Sequence, residues 1–240
     1  MRRLQFELKG RIAWLINLFL GSQTATMMSS ALLVGALAGL GTVLFRKAVD
    51  LATAVLFEGS AAWFVPSRLN LLILPALGGL AVGVWLYFVR PRGPGQGVAG
   101  IIEAAAFHGG RIDLRGSLGR VIGAVVTIGT GGSAGPEDPS VQVGAVVGSQ
   151  AGRLLGMGAR QIRTLVGCGS AAGIAAAFNA PISGVFFAVE IILGEFSGIS
   201  VSYIVIAAVA GAAVSQVFLG SRPAFSLPGY ELRSPLELVL

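Results

Sequence analysis

The chain carries no ionisable side chain from Ile12 to Phe45, and this gap constrains its possible folds more than any other feature. A surface helix of a soluble protein carries charged residues on its outer face, whereas about 20 consecutive apolar residues suffice to cross a bilayer core. Only 12% of all residues are charged, about half the share in typical soluble domains. We therefore predict an integral membrane protein and exclude a soluble α/β enzyme.

Several further runs are long enough to span a membrane. Gly21, Ser22 and Gln23 interrupt the first gap, so we expect a short apolar helix before them and a long, tilted helix from about Thr24 to about Phe57. Three other uncharged runs follow at Leu69–Val89, Thr164–Val189 and Phe196–Ser221. The N-terminal run lacks a convincing cleavage site and is followed at once by a spanning segment, which argues against a signal peptide.

The interval from Gly93 to Gly158 has a different pattern. Its apolar pieces are short and are separated by glycine, proline and charged residues. Irregular backbone at membrane depth is tolerated where protein encloses it or where it lines a cavity. The interval therefore predicts broken or re-entrant helices along a solute pathway.

The basic residues predict an orientation. Four of them precede the first apolar run: Arg2, Arg3, Lys9 and Arg11. The positive-inside rule then places the N-terminus in the cytoplasm and the acidic pair Glu137–Asp138 on the outward half. The arginines form no stripe with interleaved aromatic residues, so the net charge of +6 does not indicate nucleic-acid binding. A prokaryotic inner membrane is the expected location.

Three motifs combine a helix start with a broken span. They are Gly95–Ala99, Gly135–Gln142 and Asn179–Pro181. In the second, Asp138 suits an N-cap, Pro139 the first helical position and Gln142 a capping box; in the third, Asn179 suits an N-cap and Pro181 the first helical position. Helix N-termini that converge inside a membrane form an anion site without a buried lysine. The alternative for each motif is a capped helix that only turns the chain.

Glu137 is the most informative ionisable residue. A carboxylate at membrane depth is costly and indicates function by default. At a helix N-terminus it would occupy the anion's place when ionised and leave when protonated. The alternative is a first-turn acid that complements the helix dipole. Two roles are considered for Glu190: it is either an interfacial acid that ends a helix or a partner in a structural ion pair.

The remaining chemistry-bearing residues predict neither a metal site nor a cofactor. His108 and Cys168 are single, so neither a histidine cluster nor a CxxC pair exists. His108 is expected in a loop, and Cys168 lies within the small-residue run Gly167–Ala177, which predicts close helix packing. An intramembrane enzyme with Ser183 as nucleophile and His108 as base is a remote alternative, and we predict no catalytic residue.

Two segments resemble a known family. Residues 135–144, GPEDPSVQVG, are similar to the filter segment GREGP-(T/S)-x-Q-x-G of the CLC family of chloride channels and proton-coupled chloride antiporters. Residues 171–190, AAGIAAAFNAPISGVFFAVE, are similar to the family's AAGxAAAFNAPxxGxxFxxE block, and residues 95–99, GQGVA, stand in place of GSGIP. The likeness begins near Thr24 and covers the N-terminal half of the family's domain.

The resemblance implies an all-α, inverted-repeat membrane fold and a homodimer with one pore per subunit. It assigns residues 24–233 to the first repeat, residues 1–23 to a cytoplasmic terminus with a short helix, and residues 234–240 to the start of a truncated helix. It makes Glu137 the gate of a chloride pathway. It places the anion near five residues and the supporting architecture at five others: Gln96, Gly97, Gly135, Glu137 and Asp138, then Pro139, Gln142, Asn179, Pro181 and Phe186.

Several departures from the family pattern bear on function. Gln96 replaces the usual serine, or the proline of nitrate-selective relatives, and leaves the preferred anion open. Pro136 replaces an arginine and Asp138 a glycine, so the outer entrance should attract anions less. Ile191 stands where proton-coupled antiporters often carry an inner glutamate. This favours a channel over the alternative of an antiporter, with chloride as the first choice of anion and fluoride or nitrate as others.

Overall fold

The computed structural model describes residues 23–58, 67–89 and 97–220, and every regular element in these ranges is helical. The helix expected before Gly21, the residues Gly95 and Gln96, and the segment 234–240 lie outside the described residues. The remaining predicted helices can all be compared with the structure.

Eight α-helices follow one another along the described ranges, and two of them continue as π-helices. Their bounds are α1 Gln23–Thr53 with a π segment Ala54–Glu58, α2 Ser67–Val89, α3 Gly97–Phe107, α4 Leu114–Gly129, α5 Glu137–Leu154, α6 Ala159–Phe178, α7 Pro181–Phe186 with a π segment Phe187–Leu193, and α8 Gly198–Leu219. The predicted long first helix and the predicted final span correspond to α1 and α8.

Two helices of the described part are long and apolar enough to cross a bilayer, Gln23–Phe57 and Gly198–Leu219. At about 1.5 Å per residue, the 31 residues of α1 extend about 46 Å, more than a bilayer core of about 30 Å. Large apolar side chains such as Leu44 on α1, Leu80 on α2 and Val217 on α8 are exposed. Exposed apolar side chains of this kind suit contact with lipid.

Helices α5 and α6 form the centre of the fold by direct backbone contact. A Cβ built at Gly144 would collide with the carbonyl oxygen of Gly169, and one built at Gly169 would collide with that of Gly144. Gly173 meets the backbone of Ser140 in the same way. Because small residues let helix backbones approach closely, the predicted role of the small-residue run is confirmed, and Cys168 is fully buried within it.

Helices α1 and α8 pack on this centre through the same kind of close backbone contact at glycine. A Cβ at Gly35 would strike the carbonyl oxygen of Ala207, and a Cβ at Gly39 would lie 2.6 Å from that of Gly211. Gly211 in turn has its nearest neighbours in Ala172 of α6. Helices α1, α8 and α6 therefore meet at glycine and alanine positions.

The helix boundaries correct two predicted N-caps and one predicted first helical position. The N-cap of α5 is Pro136, so Asp138 and Pro139 lie inside the first turn instead of at the cap and first position. Asn179 is the C-cap of α6, with φ 54° and ψ 38°, and Ala180 is the N-cap of α7. Asparagine tolerates this left-handed conformation, so the residue ends one helix instead of starting the next. Pro181 does begin α7.

Gln142 makes no capping box. Its Nε2 donates a 2.6 Å hydrogen bond to Ser117 Oγ in α4, and both side chains are buried. The side chain points sideways to another helix because it lies too far into the helix to reach back to Pro136. It therefore ties α5 to α4.

We predict that Gly144→Ala and Gly169→Ala each lower the melting temperature of the detergent-solubilised protein, because each Cβ must push α5 and α6 apart. Overpacking of this kind costs about 1–3 kcal/mol. Gly83→Ala is the matched control, since its Cβ meets nothing within 4 Å on α2. Equal melting temperatures for Gly169→Ala and Gly83→Ala would contradict the close contact.

We also predict that Ser117→Ala destabilises the protein by about 1–3 kcal/mol, because it leaves the Gln142 amide buried without its acceptor. Ser29→Ala is the control, since the Ser29 hydroxyl is exposed and bonds only within its own helix. Thermal unfolding followed by tryptophan fluorescence measures both. The two variants would behave alike if the buried bond contributed nothing.

Candidate anion site

The first turn of α5 has few backbone donors left for an anion. An α-helix leaves its first four N–H groups without partners inside the helix. Two of these four positions are prolines, Pro136 and Pro139, which carry no N–H. The next amide, of Ser140, donates to Pro136 O at 3.1 Å. Only the amides of Glu137 and Asp138 can therefore face a bound anion from this helix end.

The Glu137 side chain folds back over the start of its own helix. A Cβ built at Gly135 would collide with the Glu137 carboxyl group, so that carboxylate lies against the Gly135 backbone. Glu137 is exposed in the described structure. Glycine at position 135 leaves the space that the carboxylate fills, and the negative group sits at the positive end of the helix dipole.

Asp138 points to a different helix. Its Oδ1 accepts a 2.8 Å hydrogen bond from the backbone N–H of Val98, the second residue of α3. Gly97 has φ +62°, and a Cβ there would lie 2.5 Å from the same oxygen. Glycine is thus required at position 97 both for its backbone conformation and for the approach of the carboxylate. The starts of α3 and α5 are in direct contact through this bond.

The structure brings together four of the five predicted anion-binding residues: Gly97, Gly135, Glu137 and Asp138. The fifth, Gln96, lies outside the described residues. Pro139 is buried in the same turn as Glu137. Gln142, assigned to the supporting architecture, is buried between α5 and α4.

Asn179 and Pro181 lie at the junction of α6 and α7. Asn179 Oδ1 accepts a 2.7 Å hydrogen bond from Gln216 Nε2 of α8. The last carbonyl groups of α6 bind side chains of other helices: Ala176 O accepts from Ser215 Oγ at 2.7 Å, and Ala177 O accepts from Arg46 at 3.1 Å. These contacts anchor the end of α6, and a cation suits that end of the helix dipole.

Phe186 and Ile191 belong to another surface. Phe186 is 54% exposed and Ile191 44% exposed. Phe186 borders a cleft with Glu190, Glu195 and Phe196. Glu190 lies within the π segment of α7, which continues to Leu193. The expectation that Glu190 ends the helix is therefore wrong, because the chain widens into a π-helix and goes on.

Sequence reasoning missed the partners of the site. The Val98 amide binds Asp138, and the Ser117 hydroxyl binds Gln142. These partners lie 40 and 25 residues away along the chain, so no local sequence pattern indicates either bond. Arg46 did carry one, because an arginine within a predicted span requires a buried partner. That partner, the end of α6, is 131 residues distant.

The described residues give little support to the other chemistries. No group of three metal-ligating side chains exists among them. His108 follows the last residue of α3 as predicted, and Ser183 lies on α7, with both side chains exposed. No described hydrogen bond joins the two residues, although a serine nucleophile needs its base within such reach.

A family model and the curated relatives of this chain both point to chloride channel proteins. The family described as voltage-gated chloride channel matches residues 78–240. Chloride channel protein CLC-e of Arabidopsis thaliana is 34% identical over 230 residues, which is 89% of this chain and 32% of the relative. The chain thus spans about a third of that relative.

Two solved structures are similar in fold. A slow cyanobacterial Cl⁻/H⁺ antiporter superposes with a TM-score of 0.72 at 22% identity, over 88% of this chain and 51% of that one. A CLC-type fluoride/proton antiporter superposes with a TM-score of 0.69 at 28% identity, over 89% and 52%. The predicted all-α, CLC-type fold is confirmed. The chain is a multi-pass integral membrane protein and belongs to the family of voltage-gated chloride channels, the CLC family.

Proposed function

We propose that the protein conducts small anions, chloride first, through a pathway that passes the N-termini of α3 and α5. The observation that carries the proposal is the contact of these two helix starts, with Glu137 against one and Asp138 against the other. The amides of Glu137 and Asp138, which lack a partner inside their helix, and the helix dipoles favour an anion at this place. Membership of the CLC family supports anions as the transported class.

Glu137 acts as the gate in this proposal. Its carboxylate lies against the Gly135 backbone at the start of α5, and in the proposal an anion bound at the amides of Glu137 and Asp138 competes with the ionised side chain for this place. Movement or protonation of the side chain frees the place for the anion. Glycine at position 135 makes the occupied state possible, because any side chain there would fill the same space.

The mode of transport has two candidates. Ile191 favours a channel, since an apolar side chain cannot pass a proton at a position where antiporters often carry an acid. The fold neighbours favour the alternative, because one is a Cl⁻/H⁺ antiporter and the other a fluoride/proton antiporter. We propose the channel, with proton-coupled exchange, fluoride or nitrate as alternatives.

The proposal also includes the assembly and the location, which are those expected from the resemblance to the family and from the sequence. The protein functions as a homodimer in a lipid bilayer, its N-terminus is cytoplasmic, and the membrane is a prokaryotic inner membrane. No enzymatic activity, cofactor or nucleic-acid partner forms part of the proposal. Residues 24–233 form one repeat of the transport domain, and Gln96 contributes to the anion site beside Gly97.

Glu137→Gln should raise chloride flux from liposomes and remove its dependence on pH, because the variant side chain cannot be ionised and no longer competes with chloride. The intact natural protein is reconstituted and chloride release is recorded with a selective electrode. Asp50→Asn is the control, since Asp50 is an exposed carboxylate of α1. Wild-type flux and pH dependence in Glu137→Gln would reject the gating role.

Recording chloride and proton movement together separates the two transport modes. A channel lets chloride run down its gradient without net proton transport. Protons driven uphill in fixed ratio to chloride would overturn the channel and establish the antiporter. Repeating the measurement with fluoride and nitrate ranks the anions.

A further inference from the structure

A cavity of about 360 Å³ lies where α3 ends and α6 begins. Its lining includes the small residues Ala106, Gly109 and Ala159 and the charged residues Arg160, Arg163 and Glu195. The loop after α3 lies directly on α6 here, since a Cβ built at Gly109 would lie 2.9 Å from the Cβ of Ala159. The candidate anion site borders the start of α3, so this cavity lies at the opposite end of that helix.

Arg163 has a structural role beside the cavity. Its Nη2 donates a 2.7 Å hydrogen bond to Leu193 O, and its Nη1 lies 3.4 Å from Glu195 Oε1. These contacts hold the end of the π segment against α6. They also pair the charge of Arg163 with a carboxylate, so this arginine alone does not require a ligand.

Arg160 has no such partner in the described part of the chain. It is an exposed residue in the first turn of α6, and the ion pair found among the described residues joins Arg163 to Glu195. Two guanidinium groups and one carboxylate line the cavity, so one positive charge there lacks a counter-charge. The planar guanidinium group binds phosphate through two parallel hydrogen bonds, which makes phosphate the anion best suited to this place.

A largely apolar cleft adjoins the cavity, and Glu195 belongs to the lining of both. The cleft is also lined by Phe186, Val189, Glu190 and Phe196. Phe196 is 75% exposed and lies two residues before α8, which is long and apolar enough to cross a bilayer, so the cleft opens near the membrane surface. A charged cavity that continues into an apolar cleft fits a lipid, and basic pockets between helices at a membrane surface bind lipid headgroups.

We propose that the cavity and the cleft together bind a phospholipid, whose phosphate contacts Arg160 and whose acyl chain lies in the cleft. The phosphate supplies the counter-charge that Arg160 lacks among the described residues. Glu190 lines the cleft but not the cavity, so its carboxylate does not border the place of the phosphate. Such binding does not depend on whether the protein conducts chloride.

The test uses the intact natural protein, purified without lipid in a neutral detergent, and phosphatidylglycerol as the probe. Native mass spectrometry measures the bound lipid as phosphatidylglycerol is added. Arg160→Gln should weaken the binding about fivefold, which is the effect of one basic residue on an anionic headgroup. Arg153→Gln is the matched control, because Arg153 is an exposed arginine at the end of α5 and does not line the cavity. It should change the affinity by less than about twofold.

A second variant tests the space in the cavity and leaves its charge unchanged. Ala106 is an exposed residue of α3, and leucine is a good helix former, so Ala106→Leu should fold. The longer side chain fills part of the cavity and should therefore reduce phosphatidylglycerol binding. General attraction of lipid to a basic surface would instead leave Ala106→Leu with the wild-type affinity, and that result would overturn the site.

Two competitors identify the part of the lipid that is recognised. Diacylglycerol has no phosphate and inorganic phosphate has no acyl chain, so neither should displace phosphatidylglycerol at an equal concentration. Displacement by inorganic phosphate that is lost in Arg160→Gln would overturn the lipid and indicate a free-phosphate site. Equal phosphatidylglycerol affinity in the wild type and Arg160→Gln would overturn the role of Arg160.

Discussion

The contact of α5 with α6 through Gly144 and Gly169 determines where the candidate site lies. Each glycine receives the other helix's carbonyl oxygen where a Cβ would stand, so no other residue permits the same approach. The contact repeats at Gly173 against Ser140, only three residues from Glu137. The start of α5 is therefore held on the centre of the fold, while the Glu137 and Asp138 side chains of its first turn remain exposed.

Polar groups at the helix ends follow a simple division once this centre is fixed. At the C-terminus of α6, carbonyl oxygens accept bonds from Ser215 and Arg46 and are thereby satisfied within the protein. At the starts of α5 and α3, the nearby groups are carboxylates, which complement the positive end of a helix dipole. The proposed anion pathway passes these two helix starts, whereas side chains of the protein bind the end of α6.

The sequence predicted much of the fold because its signals are local. Charge-free runs identified α1 and α8, and the small-residue run identified the tight packing of α6. The caps were harder to predict. Aspartate is a residue type that favours the N-cap, yet Pro136, and not Asp138, is the N-cap of α5. Asn179 ends α6 because its left-handed backbone suits a C-cap. The cross-helix bonds of Asp138 and Gln142 depend on tertiary geometry that no local pattern encodes.

The central claim is that an anion binds at the start of α5, beside the start of α3, and anomalous diffraction tests it most directly. Crystals of the intact protein carrying Glu137→Gln are grown in bromide, which replaces chloride and scatters anomalously. We predict a bromide peak within hydrogen-bond distance of the backbone amides of residues 137 and 138. Bromide bound elsewhere in the protein, with none at these amides, would contradict the claim.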